Sequence, residues 1–169
     1  MAPVIGPGPV SLNGRPALGI LLWGVSKKSA KIAALIEACR GKELDAHYLG
    51  YFECFNRELF YEAHDVLEEL WLQDTKAPSG NFYKALIQFA GAFVHMQKDC
   101  PRYPRLRPAA ALLNLARGYL LPYQPTHRQL DVARLIEQAD EWLRDLQAGR
   151  FKTNPLRTRV PPRLMLNGQ

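Results

Sequence analysis

Between Ala85 and Gln97 the chain carries no charged side chain (ALIQFAGAFVHMQ). A helix that is apolar nearly all round has to be enclosed by other elements, so the rest of the chain is expected to wrap around this segment. From Ser26 onward the apolar residues recur with a helical period. The spacing predicts a first helix over Lys27–Arg40, with Ile32, Leu35, Ile36 and Cys39 on one face and Gly41 as its stop. A second is expected over Asp45–Cys54, and Asn56 is expected to cap a third, Arg57–Gln73. Pro78, Ser79 and Gly80 mark a loop before the central helix, Asn81–Lys98. Pro101 and Pro104 break the chain ahead of a fifth helix, Leu106–Leu121, which tolerates Pro108 in its first turn. Pro122 and Pro125 precede a sixth, Thr126–Ala148, with Thr126 as cap and Gly149 as stop. No strand-like alternation persists. The expected fold is all-α: a single bundle of five to six helices around a central apolar helix at about 81–98.

The two ends read differently. Residues 1–25 are rich in proline and glycine and predict a flexible segment, 26–149 the bundle, and 150–169 a basic C-terminal tail with three prolines and no period. Leu18–Val25 is apolar but far too short to span a bilayer, and reads as a patch docked on the body. The sequence from Val25 also looks like a self-contained start, and a second reading has the natural product begin there; the sequence does not decide between the two. The net charge of +6 is uneven, because residues 44–149 sum to −3 and the tail alone carries five basic and no acidic side chains. Without interleaved aromatics the tail reads as solvated, and nucleic acid and membrane are not expected as partners. Cys39, Cys54 and Cys100 are too few and too scattered for a disulfide framework, which points to a reducing cytoplasm. No phosphate loop, nucleophile elbow or dinucleotide fingerprint is present.

One constellation carries chemistry. In FYEAHDVLEELW, a turn of 100° per residue sets Phe60, Tyr61, Leu67, Glu68 and Trp71 on the side of His64, and Glu62, Asp65 and Glu69 opposite as solvated charges. His64 and Glu68 are therefore expected on the buried face, where an ionised carboxylate requires compensation. The central helix offers it through a polar stripe, Gln88 and His95 nearly eclipsed, with small Gly91 and Ala92 between and Lys84 leading toward solvent. A cluster of His64, Glu68, Gln88 and His95 is expected between the third and fourth helices, walled by Tyr61 and Trp71. Three readings compete: a buried network that fixes packing, a divalent-metal site, or metal-free acid–base or ligand chemistry. The candidate catalytic and metal-ligating residues are His64, Glu68 and His95. The candidate ligand-binding set adds Tyr61, Trp71 and Gln88. No cofactor beyond a divalent metal is expected, and the sequence does not decide whether the chain is an enzyme. His47 reads as part of a half-buried face and His127 as exposed at a helix start. The three cysteines lack an activating base.

The runs FNRELFYEAHDVLEELW (Phe55–Trp71) and FYKALIQFAGAFVHMQK (Phe82–Lys98) resemble the signature of the domain of unknown function 309 family, over about Leu44–Leu146. The resemblance implies a small all-α bacterial or archaeal protein of uncharacterised function. Its characteristic positions fall here on Asn56, Glu62, His64, Glu68, Trp71, Gln88 and His95. The link DCPRYPRLRP (Asp99–Pro108) departs from the pattern, which carries glycine there. Two functional classes follow: a structural or interaction module, self-associating through an apolar face, or a ligand, metal or hydrolytic site built on His64, Glu68 and His95.

Overall fold

The computed structural model describes residues 30–73 and 75–168. The Pro/Gly-rich start, the run Leu18–Val25, the alternative start at Val25 and the first turn of the first expected helix lie outside these residues. Within them the chain is an all-helical bundle of α1 (Ala30–Ala38), α2 (Ala46–Phe55), α3 (Phe60–Gln73), α4 (Gly80–Gln97), α5 (Leu106–Leu120) and α6 (Val132–Ala148). A two-stranded hairpin, β1 (Thr126–His127) and β2 (Leu130–Asp131), precedes α6.

The charge-free segment is the hub. α4 packs between α3 and α5, and Phe82, Ala85, Leu86, Phe89, Ala90, Phe93 and Met96 are buried around its circumference. α2 starts where the Asp45 carboxylate accepts from the N–H groups of His47 (2.7 Å) and Tyr48 (3.3 Å), satisfying two otherwise orphaned donors. Its two buried tyrosines each find an acceptor. Tyr51 donates to the Leu86 carbonyl at 2.9 Å, and Tyr48 to the Arg128 carbonyl at 3.0 Å. α6 buries Val132, Leu135, Ile136, Ala139, Trp142, Leu143 and Leu146, the three-and-four spacing of one helix face. An aromatic centre joins these layers. Phe93 lies 5.2 Å from Phe55, 5.0 Å from Phe60, 5.2 Å from Phe89 and 4.9 Å from Trp142, ring centre to ring centre.

Three expectations are corrected. Asn56 does not cap α3. It closes α2, and its carboxamide is held by Leu164, donating to that carbonyl and accepting from that N–H, both at 2.8 Å. Glu58 then takes a positive φ of 59°, so α3 begins only at Phe60. Thr126 does not cap the last helix either. Arg128 and Gln129 both adopt positive φ (45° and 63°), the conformation of a primed hairpin turn. The chain therefore reverses before Asp131 caps α6 by accepting from Arg134 N–H at 2.8 Å. The hairpin has two residues in each strand, and the bundle remains all-helical around it.

The basic tail is fastened to the bundle at a few buried residues, while Arg150, Lys152, Arg157 and Arg163 stay exposed. Residues 150–168 form a strap across the bundle. Asn154 is buried and donates to the Met96 carbonyl at 2.7 Å, which satisfies an acceptor near the end of α4. Leu164 and Leu166 are buried, and Leu166 bridges to Leu130 of the hairpin. Arg159 crosses the face of Trp142 and pairs with Glu141 and, at 2.7 Å, Asp145. The strap's charge is therefore spent partly on the acidic residues of α6. No helix among the described residues is long and apolar enough to cross a membrane.

Candidate functional site

The buried arc of α3 is Phe60, Ala63, Val66 and Leu67, with Leu70 and Trp71 packed on its margin. His64 lies about a quarter-turn from the centre of that arc and Glu68 further round. Both are half-buried, so the expectation that Glu68 sits in the apolar interior is corrected. They line the rim of the α3–α4 contact. Asp65, expected on the solvent side, is drawn into the same rim. Its side chain is 22% exposed and one carboxylate oxygen lies 3.4 Å from His64 Nδ1. His64, Asp65 and Glu68 each offer one ligand atom, and these atoms lie within 4.8 Å of one another. The spacing i, i+1, i+4 produces this, because Glu68 falls angularly between the other two.

α4 approaches the rim at its glycine. A Cβ placed on Gly91 would stand 3.8 Å from His64 Cδ2 and 3.2 Å from Leu112 Cδ1 of α5. The small residue thus lets α3 and α5 both close on α4. Gln88 is one turn before Gly91 and His95 one turn after, so the stripe faces the seam where the three helices meet. Gln88 Oε1 and His95 Nδ1 are buried there with no hydrogen-bond partner among the described residues. No bond of the described residues joins either of them to His64 or Glu68, and His95 is outside the 4.8 Å group. Lys84 does not run out to solvent. It donates to Tyr119 of α5 at 3.2 Å and lies over that ring. Of the two expected walls, Trp71 packs on the core margin, while Tyr61 is half-buried beneath the Lys98 ammonium.

Charges of both signs meet around the seam. Burial first, then Asp65, Glu68 and Glu62, raise the Tyr61 hydroxyl above its ordinary range. Burial first, then Arg105 and Lys98, hold the His95 imidazole below its ordinary value. Sequence reasoning missed Asp65, Arg105, Leu112 and Tyr119. Only Asp65 carried a local signal, the His-Asp-x-x-Glu spacing.

The other singled-out residues are placed as follows. His47 is half-buried, with its ring nitrogens 3.4 Å from Asp45 and from Glu69. His127 is not exposed, because it packs edge-on to Phe82 at 4.6 Å. Burial pushes the Cys54 thiol up to about 11 and also raises Cys39, so neither is a ready thiolate. In the Asp99–Pro108 link, Asp99 accepts from Arg105 N–H at 2.8 Å, and the arginines Arg102 and Arg107 lie over Tyr103 and Phe151.

A family model described as "Domain of unknown function (DUF309)" matches residues 48–103. Over that stretch, about a third of the chain, the sequence is similar to DUF309. The DUF309 segment spans α2, α3, α4 and the start of the link, so it contains His64, Asp65, Glu68, Gln88 and His95, while α5, α6 and the strap lie beyond it. No curated protein and no solved structure matches the chain.

His95 and His127 give the fold a definite response to acid. Burial, then neighbouring arginine or lysine charge, lowers both. The native state then binds fewer protons than the unfolded chain. Stability is complete above the unfolded value of 6.5 and falls as pH drops below it. Thermal melts are expected to move to lower temperature between pH 7 and pH 5, and His95→Gln with His127→Gln should flatten that slope. An unchanged slope in the double variant would assign the acid response elsewhere.

Proposed function

We propose that the DUF309 segment is a divalent-metal-binding module, with His64, Asp65 and Glu68 as protein ligands on successive turns of α3. The observation that carries this reading is the convergence of their three ligand atoms within 4.8 Å, on a half-buried rim rather than on open surface. One imidazole and two carboxylates suit zinc, manganese or ferrous iron. Ligand atoms around a tetrahedral zinc sit about 3.4 Å apart, so side-chain rotation alone closes the set. The buried free acceptor of Gln88 and the free Nδ1 of His95 line the seam beside it and suit a bound water or a small ligand's polar atoms. An open coordination position next to those groups is the arrangement a hydrolytic site uses. The three free cysteines fit a reducing, cytoplasmic setting.

The test is calorimetric titration of chelator-treated full-length protein with Zn2+ and Mn2+. One ion per chain is expected, with Asp65→Asn and Glu68→Gln each weakening affinity at least about tenfold while the far-ultraviolet spectrum stays unchanged. Wild-type protein that takes up neither ion, or variants that bind equally well, would sink the metal reading. The seam would then stand as a packing network, and the chain as a structural or self-associating module.

A further inference from the structure

At the opposite end of α4, Ser79 is the N-cap residue and is only 7% exposed. A serine there ordinarily turns its hydroxyl onto the first N–H groups of its own helix. Ser79 makes no such bond. Its Oγ instead lies 3.1 Å from His127 Nε2 and receives the Nε–H of Arg128 at 3.2 Å. The guanidinium has only protons to give, so the oxygen accepts from Arg128 and its own proton is left for His127. That network assigns the ring proton to Nδ1 and makes Nε2 the acceptor. The imidazole is fixed by ring contacts with Phe82 at 4.6 Å and Tyr123 at 4.8 Å. Arg128 is fixed through its carbonyl by Tyr48 and lies over the Tyr83 ring. Burial, then the Arg128 charge, holds His127 below its ordinary value, which favours the neutral ring that can accept a proton.

We propose that Ser79 and His127 form a nucleophile–base pair that acts on carboxylic esters, with Arg128 stabilising the developing charge on Oγ. In the first step Oγ bonds to the acyl carbon and its proton passes to His127 Nε2. The tetrahedral oxygen faces the first-turn N–H groups of Asn81 and Phe82, which by position have no carbonyl partner within the helix. The ester C–O bond breaks, the alcohol leaves with the proton from Nε2, and Ser79 is acylated. Water, giving a proton to the same nitrogen, then cleaves the acyl–Oγ bond and releases the acid and the free hydroxyl. The pair lies outside the His64–Asp65–Glu68 rim and does not depend on metal there.

The experiment treats full-length protein with a fluorophosphonate probe and maps the adduct by peptide mass spectrometry, alongside a p-nitrophenyl acetate burst. A single label on Ser79 is expected, with a burst of about one equivalent per chain. Ser79→Ala should abolish both, and His127→Gln should slow labelling at least tenfold. Wild-type protein unfolded in urea should lose the label, a comparison that holds even if a variant does not fold. Native protein unlabelled at Ser79, label retained after unfolding, or a folded His127→Gln that labels at the wild-type rate would each overturn the proposal and leave the contact as a staple between hairpin and helix.

Discussion

Phe93→Ala is expected to lower the stability of the bundle by about 3–5 kcal/mol, the range for removing a fully enclosed aromatic ring. The ring has no exposed surface and touches aromatic side chains from α2, α3, α4 and α6. None of those neighbours can move into the space without leaving its own contacts, so the cavity stays largely open. Urea unfolding measures this through the midpoint at unchanged slope. For a chain of this size the loss corresponds to a fall in Tm on the order of 10 °C. A loss under about 1 kcal/mol would mean that α4 is not the hub of the fold.

Removing residues 150–169 should have an effect of similar or greater size. The deletion strips Leu164 and Leu166 from the core, each buried side chain contributing about 1.5–3 kcal/mol. It also leaves the Met96 carbonyl without Asn154 and the Asn56 carboxamide without Leu164. The total approaches the whole net stability of an ordinary domain, so the truncated chain is expected to be partly unfolded at 37 °C. Hydrogen exchange should show the loss first in α2 and in the hairpin, where the strap is anchored. A truncated chain that melts with the full-length protein would show that the strap lies on the surface without supporting it.

The difference between what was legible in the sequence and what was not follows from range. Helical period is a local property, and it placed α2 through α5 and the apolar character of α4 close to where they lie. The hairpin was hidden because its turn residues are Arg128 and Gln129. Neither is a residue type that announces positive φ, as Asn-Gly would. Asn56 looked like a helix cap because its side chain suits one, and its actual partner is 108 residues away. The tail looked solvated because prolines and arginines carry no period, yet single residues such as Asn154 and Leu164 are enough to fasten it.

The candidate site was legible in part. The i, i+4 and i, i+7 spacings fix that His64 and Glu68 share a side of α3 and that Gln88 and His95 share a side of α4, and His64 does lie beside Gly91, but no bond of the described residues joins the two pairs. The error was the reference direction. Counting from His64 placed the centre of the interface at the histidine, whereas Ala63 and Val66 define it. That shift moves His64 and Glu68 to the rim and brings Asp65 beside them. The part played by α5 and its N-cap, through Leu112, Tyr119 and Arg105, depends on how a third helix closes over Gly91, and no spacing within α3 or α4 encodes it.

The Asn56–Leu164 pairing has a consequence for synthesis. At 5–20 residues per second, the 108 residues that separate the two take roughly 5–20 s to emerge. Throughout that interval the Asn56 carboxamide lacks the partner that holds it in the folded chain. A nascent chain stalled within that window would expose a defined, unfastened edge, and it is there that a holding chaperone or a protease would be expected to gain its first grip.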